Sequence, residues 1–167
     1  MSPTKQVIAF VLPNFSGGGA QRVTLNLLRL VDVERFIPLL IVLQPEGPLA
    51  EAVPEHVQVI RLNRRRMRQA ILPLLRLIRK IKPAIVFSTF NHVNVPILFF
   101  KSWMRGTQVV VREANMPSAN VVRMPMPWLA RLGYIRLYPR ADTVIATSEA
   151  MVSELIAFKI PGNLVVK

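Results

Sequence analysis

Apolar positions along the chain fall into short continuous runs, separated by stretches in which they recur at helical spacing. Val7–Leu12 is aliphatic and β-branched, is followed by turn residues, and reads as a buried strand. Pro13–Gly19 is a loop, and in Ala20–Val31 the apolar residues Val23, Leu27, Leu30 and Val31 have helical spacing. Ile37–Leu43 is a second strand, closed by Gln44-Pro45-Glu46-Gly47-Pro48, and Val57–Leu62 is a third. Met67–Ile81 is amphipathic, with Ile71, Leu74, Leu75, Ile78 and Ile81 on one face and Arg68, Arg76, Arg79 and Lys80 elsewhere. Pro73 lacks the N–H that a helix interior uses, so this helix is expected to start near it or to kink there.

Ala84–Thr89 reads as the fourth strand, Val95–Met104 as a short helix entered through Pro96, and Gln108–Arg112 as the fifth strand. Met116–Trp128 carries three prolines and reads as a long loop. Leu129–Tyr138 is helical, Thr143–Ala146 is the sixth strand, Glu149–Phe158 is a helix, and Leu164–Lys167 begins a seventh strand. Strands that are continuous apolar runs, alternating with helices, imply a parallel sheet covered on both faces. The expected fold is an open Rossmann-like α/β sheet with helices on both faces. A chain of 167 residues fits a single domain, 1–167. Because it stops inside a strand, it is expected to be one half of something larger.

Composition narrows the classes. A 51% hydrophobic content excludes a disordered chain. With no cysteine there is no disulfide framework, Cys-based zinc site or thiol nucleophile, and a reducing compartment is expected. Two histidines, His56 and His92, leave little for a metal site, and none is expected. No apolar run reaches the roughly 18 residues of a membrane span. The opening run is too short for a signal peptide, so a cytoplasmic location is expected.

Charge adds a partner. The chain has 22 Lys+Arg against 9 Asp+Glu, a net +13, and no acidic residue between Glu55 and Glu113. That gap holds Arg61, Arg64, Arg65, Arg66, Arg68, Arg76, Arg79, Lys80 and Lys82. Together with Met116, Val121, Val122, Met124, Met126 and Trp128, these cations have the composition of a surface lying on an anionic bilayer. The expected contact residues are Arg64, Arg65, Arg66, Arg68, Met126 and Trp128, which would hold the protein peripherally on the inner face of the plasma membrane. The competing reading is a solvated helix face whose Arg stems snorkel. No stacking platform or RNA-binding motif accompanies the charge, so a nucleic-acid partner is not expected.

Ligands of such sheets lie beyond the C-terminal ends of the strands. After the first strand, Gly17, Gly18 and Gly19 bare the backbone at a helix N-terminus, with Arg22 adjacent, which suits a phosphate. The loop lacks the Lys-Ser/Thr of a Walker motif and the third glycine of a dinucleotide fingerprint, and a tight turn without ligand is the plainer alternative. His92 follows the fourth strand, and Arg112, Glu113 and Asn115 follow the fifth. These suit a polyhydroxyl or phosphate ligand, or else Arg112 and Glu113 simply pair on the surface. Ser148 and Glu149 follow the sixth strand and also fit an ordinary helix cap.

Three of these segments in order carry a resemblance: Gly17-Gly18-Gly19-Ala20-Gln21-Arg22 after Phe10-Val11-Leu12, Lys82-Pro83-Ala84-Ile85-Val86, and Ala141-Asp142-Thr143-Val144-Ile145-Ala146-Thr147-Ser148-Glu149. Along essentially its whole length the chain resembles the N-terminal, acceptor-side half of a GT-B retaining glycosyltransferase of family 4. The resemblance implies a second Rossmann-like domain, absent here, that holds most of the nucleotide-sugar site. It implies transfer of a sugar to a lipid-linked or envelope glycan, with the nucleotide-sugar as substrate and no cofactor or metal. Gly17, Gly18 and Gly19 match the loop that approaches the donor diphosphate, His92 a polar residue of the cleft wall, and Ser148-Glu149 a cleft-lining element. Arg112 and Glu113 stand where many members have a His, so no His role carries over to them. The alternatives are a non-catalytic module binding a nucleotide or phosphorylated metabolite, and a basic nucleic-acid-binding protein.

Overall fold

A computed structural model describes residues 5–167. Seven strands form one parallel sheet: β1 (Gln6–Leu12), β2 (Phe36–Val42), β3 (Gln58–Arg61), β4 (Ile85–Ser88), β5 (Gln108–Arg112), β6 (Thr143–Ile145) and β7 (Val165–Val166). Their order is β3-β2-β1-β4-β5-β6-β7, so the direction of winding reverses between β1 and β4. The helices are α1 (Gly19–Leu30), α2 (Met67–Ile81), α3 (Asn91–Phe99), α4 (Pro117–Arg123), α5 (Pro127–Leu137) and α6 (Glu149–Ala157). This is the Rossmann-like α/β class that the alternation of strands and helices implies.

Alternate residues of each strand feed two cores. Ala9, Val11, Leu39, Ile41, Val86, Val109, Val111 and Val144 pack under α2, α3, α5 and α6. Phe10, Leu12, Leu40, Val42 and Phe87 pack on the other face under Leu25 and Leu28 of α1 and under Phe15, Leu49 and Val57 of the connecting loops. Cover is therefore unequal. On the α1 side Val110 and Ile145 are only half-buried and Val166 is exposed.

Three expectations about elements need correction. Helix α2 starts at Met67 rather than near Pro73 and continues past it to Ile81, because Ala70, Leu74, Leu75 and Ile78 bury one face against the sheet. That burial outweighs the missing bond to the carbonyl of Gln69, which lies at the exposed surface. Helix α3 begins at Asn91 rather than Val95, because the Phe90 carbonyl accepts from the N–H groups of Val93 and Asn94, both at 2.7 Å. Lys101–Trp103, expected to extend it, is a separate 3-10 turn. Finally, Met116–Trp128 is not a loop. Pro117 and Pro127 occupy first-turn positions of α4 and α5, where the missing N–H costs nothing, so they start helices instead of breaking them.

Candidate functional site

The reversal between β1 and β4 marks the crevice position at the C-terminal edge of the sheet, with the loops after β1, β4 and β5 nearest to it and the loop after β6 further along the edge. After β1, Gly17 takes φ +91°, a conformation that other residues adopt only under strain. A Cβ on Gly18 would sit 2.7 Å from Gln21 Oε1, whereas one on Gly19 would meet nothing. The loop is tied down internally. Buried Gln21 donates through Nε2 to Asn14 Oδ1 (3.1 Å) and Ser16 Oγ (2.8 Å), and the Ser16 N–H donates to Asn14 Oδ1 (3.1 Å). No side chain caps α1 and no acid lies in its first turn. The exposed Arg22 guanidinium donates to the Gly17 carbonyl (3.4 Å). The result is an internally braced loop with the positive, uncapped end of a helix behind it.

Across the crevice, Arg112 at the end of β5 lies on the α1 side of the sheet and donates through Nη1 to Thr89 Oγ1 (3.0 Å). Partial burial pulls its pKa down, and the nearby Glu113 carboxylate pushes it back up. No Arg112–Glu113 salt bridge forms, which sets aside the surface pairing allowed by the sequence. His92 lies in the first turn of α3, outside the strand-to-helix loop expected for it. Its ring is 5.6 Å from that of Phe90, and burial against neighbouring groups lowers its pKa although one edge reaches solvent.

Glu113 does not line an open rim. It is 1% exposed and points to the opposite face from Arg112. One carboxylate oxygen, Oε1, accepts from the Tyr138 hydroxyl and from Asn94 Nδ2 (3.3 Å), and Oε2 accepts from the Tyr134 hydroxyl (3.2 Å) and Asn120 Nδ2 (3.2 Å). Asn94 Oδ1 in turn accepts from Ser88 Oγ (2.6 Å), and Asn94 Nδ2 also reaches the Arg112 carbonyl (3.1 Å). Desolvation pushes the carboxyl pKa up to about 7, and the hydrogen bonds from Tyr138, Asn94 and Tyr134, with Arg112, hold it from rising further. The same carboxylate and burial raise both tyrosines above their usual range. Asn94, Asn120, Tyr134 and Tyr138 were not anticipated as site residues. One available signal was that the chain's two tyrosines stand four apart on one helical face.

The remaining positions scatter. Ser148 caps α6, its Oγ accepting from the Met151 N–H (3.2 Å), and exposed Glu149 pairs with Lys167. This is the helix-cap geometry that was the plainer of the two readings. Asn115 is exposed. Arg64, Arg65, Arg66 and Arg68 are all exposed between β3 and the start of α2, with Arg64 and Arg65 lining a 430 Å³ hollow that also contains Glu46. Met126 and Trp128 are exposed at the start of α5. The two groups share the C-terminal edge of the sheet, but β3 and β5 are four strand spacings apart, about 19 Å.

The fold is that of a Rossmann-like α/β domain. Residues 18–166 match the glycosyl transferase 4-like domain, and the chain belongs to that family. Solved structures with the same fold include HepE from Anabaena in complex with UDP and glucose (15% identity, TM-score 0.72, 96% of this chain and 43% of that one). They also include the lipopolysaccharide outer core galactosyltransferase WaaB (12%, 0.69, 96% and 44%). A third is UDP-GlcNAc 2-epimerase from Neisseria meningitidis bound to UDP-GlcNAc (13%, 0.64, 96% and 44%). The chain thus spans less than half the length of these structures. No curated protein is matched. The presence of an epimerase among them shows that likeness at this level carries the fold alone, while the family match makes this a glycosyltransferase-type domain.

Proposed function

We propose that this chain is the acceptor-side half of a two-domain retaining glycosyltransferase, which passes a sugar from a nucleotide-sugar to a lipid-linked or envelope glycan. The observation that carries the reading is the uncapped N-terminus of α1 behind the Gly17–Gly19 loop, beyond the end of β1 where the winding of the sheet reverses. Backbone N–H groups there, with Arg22, stabilise the leaving diphosphate without a metal, in the manner of an oxyanion hole. His92, Asn115 and the Arg112 side of the rim hold the acceptor, and Glu113 positions them from beneath. Ser148 and Glu149 stand further along the same edge. A second domain completes the nucleotide-sugar site, so residues 1–167 alone do not turn over. The exposed Arg64, Arg65, Arg66 and Arg68, with Met126 and Trp128, keep the enzyme on the inner face of the plasma membrane, and nucleic acid is not a partner.

The test expresses the whole reading frame that encodes this chain and follows labelled sugar from UDP- and GDP-sugars into lipid and polymer acceptors. Transfer is expected, and Arg22→Ala should reduce it about tenfold or more, as befits a charged hydrogen bond of about 1.5–3 kcal/mol. Turnover by residues 1–167 alone, clearly above blank, overturns the half-site reading. Tight stoichiometric nucleotide binding by the same fragment, without transfer by the whole product, favours a non-catalytic binding module.

A further inference from the structure

Beside His92, on the face of the sheet away from the glycine loop, a 280 Å³ groove runs between α3 and the α4–α5 corner. Its walls are Val95 and Pro96 of α3, and Met124, Met126, Leu129 and Gly133 from the corner and α5. Only one end is polar, formed by Asn91 and His92 at the start of α3, which is the end nearest the crevice. Gly133 sets the width: a Cβ there would lie 3.9 Å from Val95 Cγ2 and meet nothing closer. Two methionines line the groove with flexible, polarizable side chains that adapt to an apolar occupant.

The surface around it is apolar where water is expected. Val122 is 77% exposed, Trp128 67% and Met126 51%, with Leu129 and Leu132 also exposed. Helix α5 is apolar on both its sheet-facing and its outer side, and a helix of that kind is normally covered. The charges interspersed are of one sign. From Ala114 to Ala141 there are Arg123, Arg131, Arg136 and Arg140 and no acid. Arg131 already stacks on Phe158, and Arg140 donates to the Phe99 carbonyl (3.1 Å). Arg123, adjoining Met124 of the groove wall, is exposed.

We propose that this groove holds the hydrocarbon chain of a single phosphorylated lipid, with Arg123 meeting the phosphate and the polar end at His92 directing the headgroup toward the crevice. The proposal rests on the transferase reading and deepens it, giving the lipid end of the acceptor a place on this domain. Charge complementarity selects the occupant: an apolar slot whose lining holds no acid and whose wall adjoins the exposed Arg123 fits an anionic amphiphile and disfavours an acid-free hydrocarbon or a cationic peptide.

Dodecyl phosphate, below its micelle concentration, is the probe. In a Trp103→Phe background Trp128 is the sole tryptophan and reports binding by fluorescence. Saturable binding is expected, weakened at least tenfold by Gly133→Leu, which fills the groove, and several-fold by Arg123→Gln. Dodecyl maltoside, with the same chain and no charge, should bind at least several-fold more weakly. Gly133→Ala, which favours the helix and has room for its methyl, serves as a second variant should the Leu variant fail to fold, and should bind measurably more weakly than the parent. Unchanged affinity in folded Gly133→Leu, or in Gly133→Ala when that is the variant that folds, overturns the proposal. So does equal binding of the two detergents, or binding seen only with anionic vesicles. Binding at the groove by a protein whose whole reading frame transfers no sugar keeps the lipid site and removes the transferase reading. Transfer to polymer acceptors without dodecyl phosphate binding does the reverse.

Discussion

Replacing Glu113 by Gln measures what the buried carboxylate contributes. Its four protein donors are neutral, and its pKa in the folded chain is about 7, against an ordinary value near 4.5. Folding therefore favours the protonated form. The group's stabilising contribution is fully present below about pH 4.5 and is lost as the pH rises through 7. At 1.36 kcal/mol per pH unit, the difference between the two ends is about 3 kcal/mol. Gln is nearly isosteric and always neutral, so it lacks this dependence. It does face Asn120 Nδ2 or Asn94 Nδ2 with an amide instead of an oxygen, which costs about 1 kcal/mol at every pH. The assay is urea unfolding of parent and Glu113→Gln from pH 4.5 to 8.5, followed by tryptophan fluorescence. The variant should be the less stable of the two at pH 4.5. It should gain on the parent by about 3 kcal/mol by pH 8. His92, whose pKa is lowered, titrates in both proteins and cancels in the difference. A stability difference that stays flat across this range would refute a buried carboxyl whose pKa desolvation raises.

Two further predictions concern the edge of the sheet. Gly17→Ala should cost about 1–2 kcal/mol in unfolding measurements, since φ is +91° and the added methyl would press on Pro48 Cγ at 3.3 Å. Gly19→Ala, with open space at its Cβ, should leave stability unchanged and weaken only a ligand that approaches the backbone there. Replacing Arg64, Arg65, Arg66 and Arg68 by Gln should cut co-sedimentation with anionic vesicles and flatten its salt dependence, at about 1 kcal/mol per cation near the surface. Equal recovery of parent and variant would return these arginines to an ordinary solvated face.

Much of the scaffold was legible because buried parallel strands announce themselves as unbroken apolar runs. Three of the seven strands, β1, β2 and β4, carry four or more contiguous apolar residues in or at the edge of the observed spans, β5, β6 and β7 carry three, and the glycine loop after β1 locates the crevice. The segment from Met116 to Trp128 was illegible for a specific reason: proline counts as a breaker unless its position within the turn is known, and that position is set by packing of Met116 and Val121 on the core. Glu113 was misplaced for the opposite reason. Its location was written in the alternation of β5, where Val109 and Val111 face the α3–α5 side and the next odd position continues inward. A charged residue after an apolar run invites the assumption of a surface, and only the tyrosines and asparagines of three distant segments, which no local pattern connects, make burial tolerable.

That one-residue alternation gives the end of β5 its mechanical significance. Arg112 extends toward the face of α1 and the glycine loop, while Glu113, its neighbour along the backbone, is anchored on the face of α3 and α5. Asn94 joins the two, holding the Arg112 carbonyl and the Glu113 carboxylate with the same amide nitrogen. Arg112 is also the one cation that opposes the rise in the Glu113 pKa. The glycine loop and the groove beside His92 lie on opposite faces of the sheet. Two consecutive residues and one asparagine thus tie the two faces together at the end of β5.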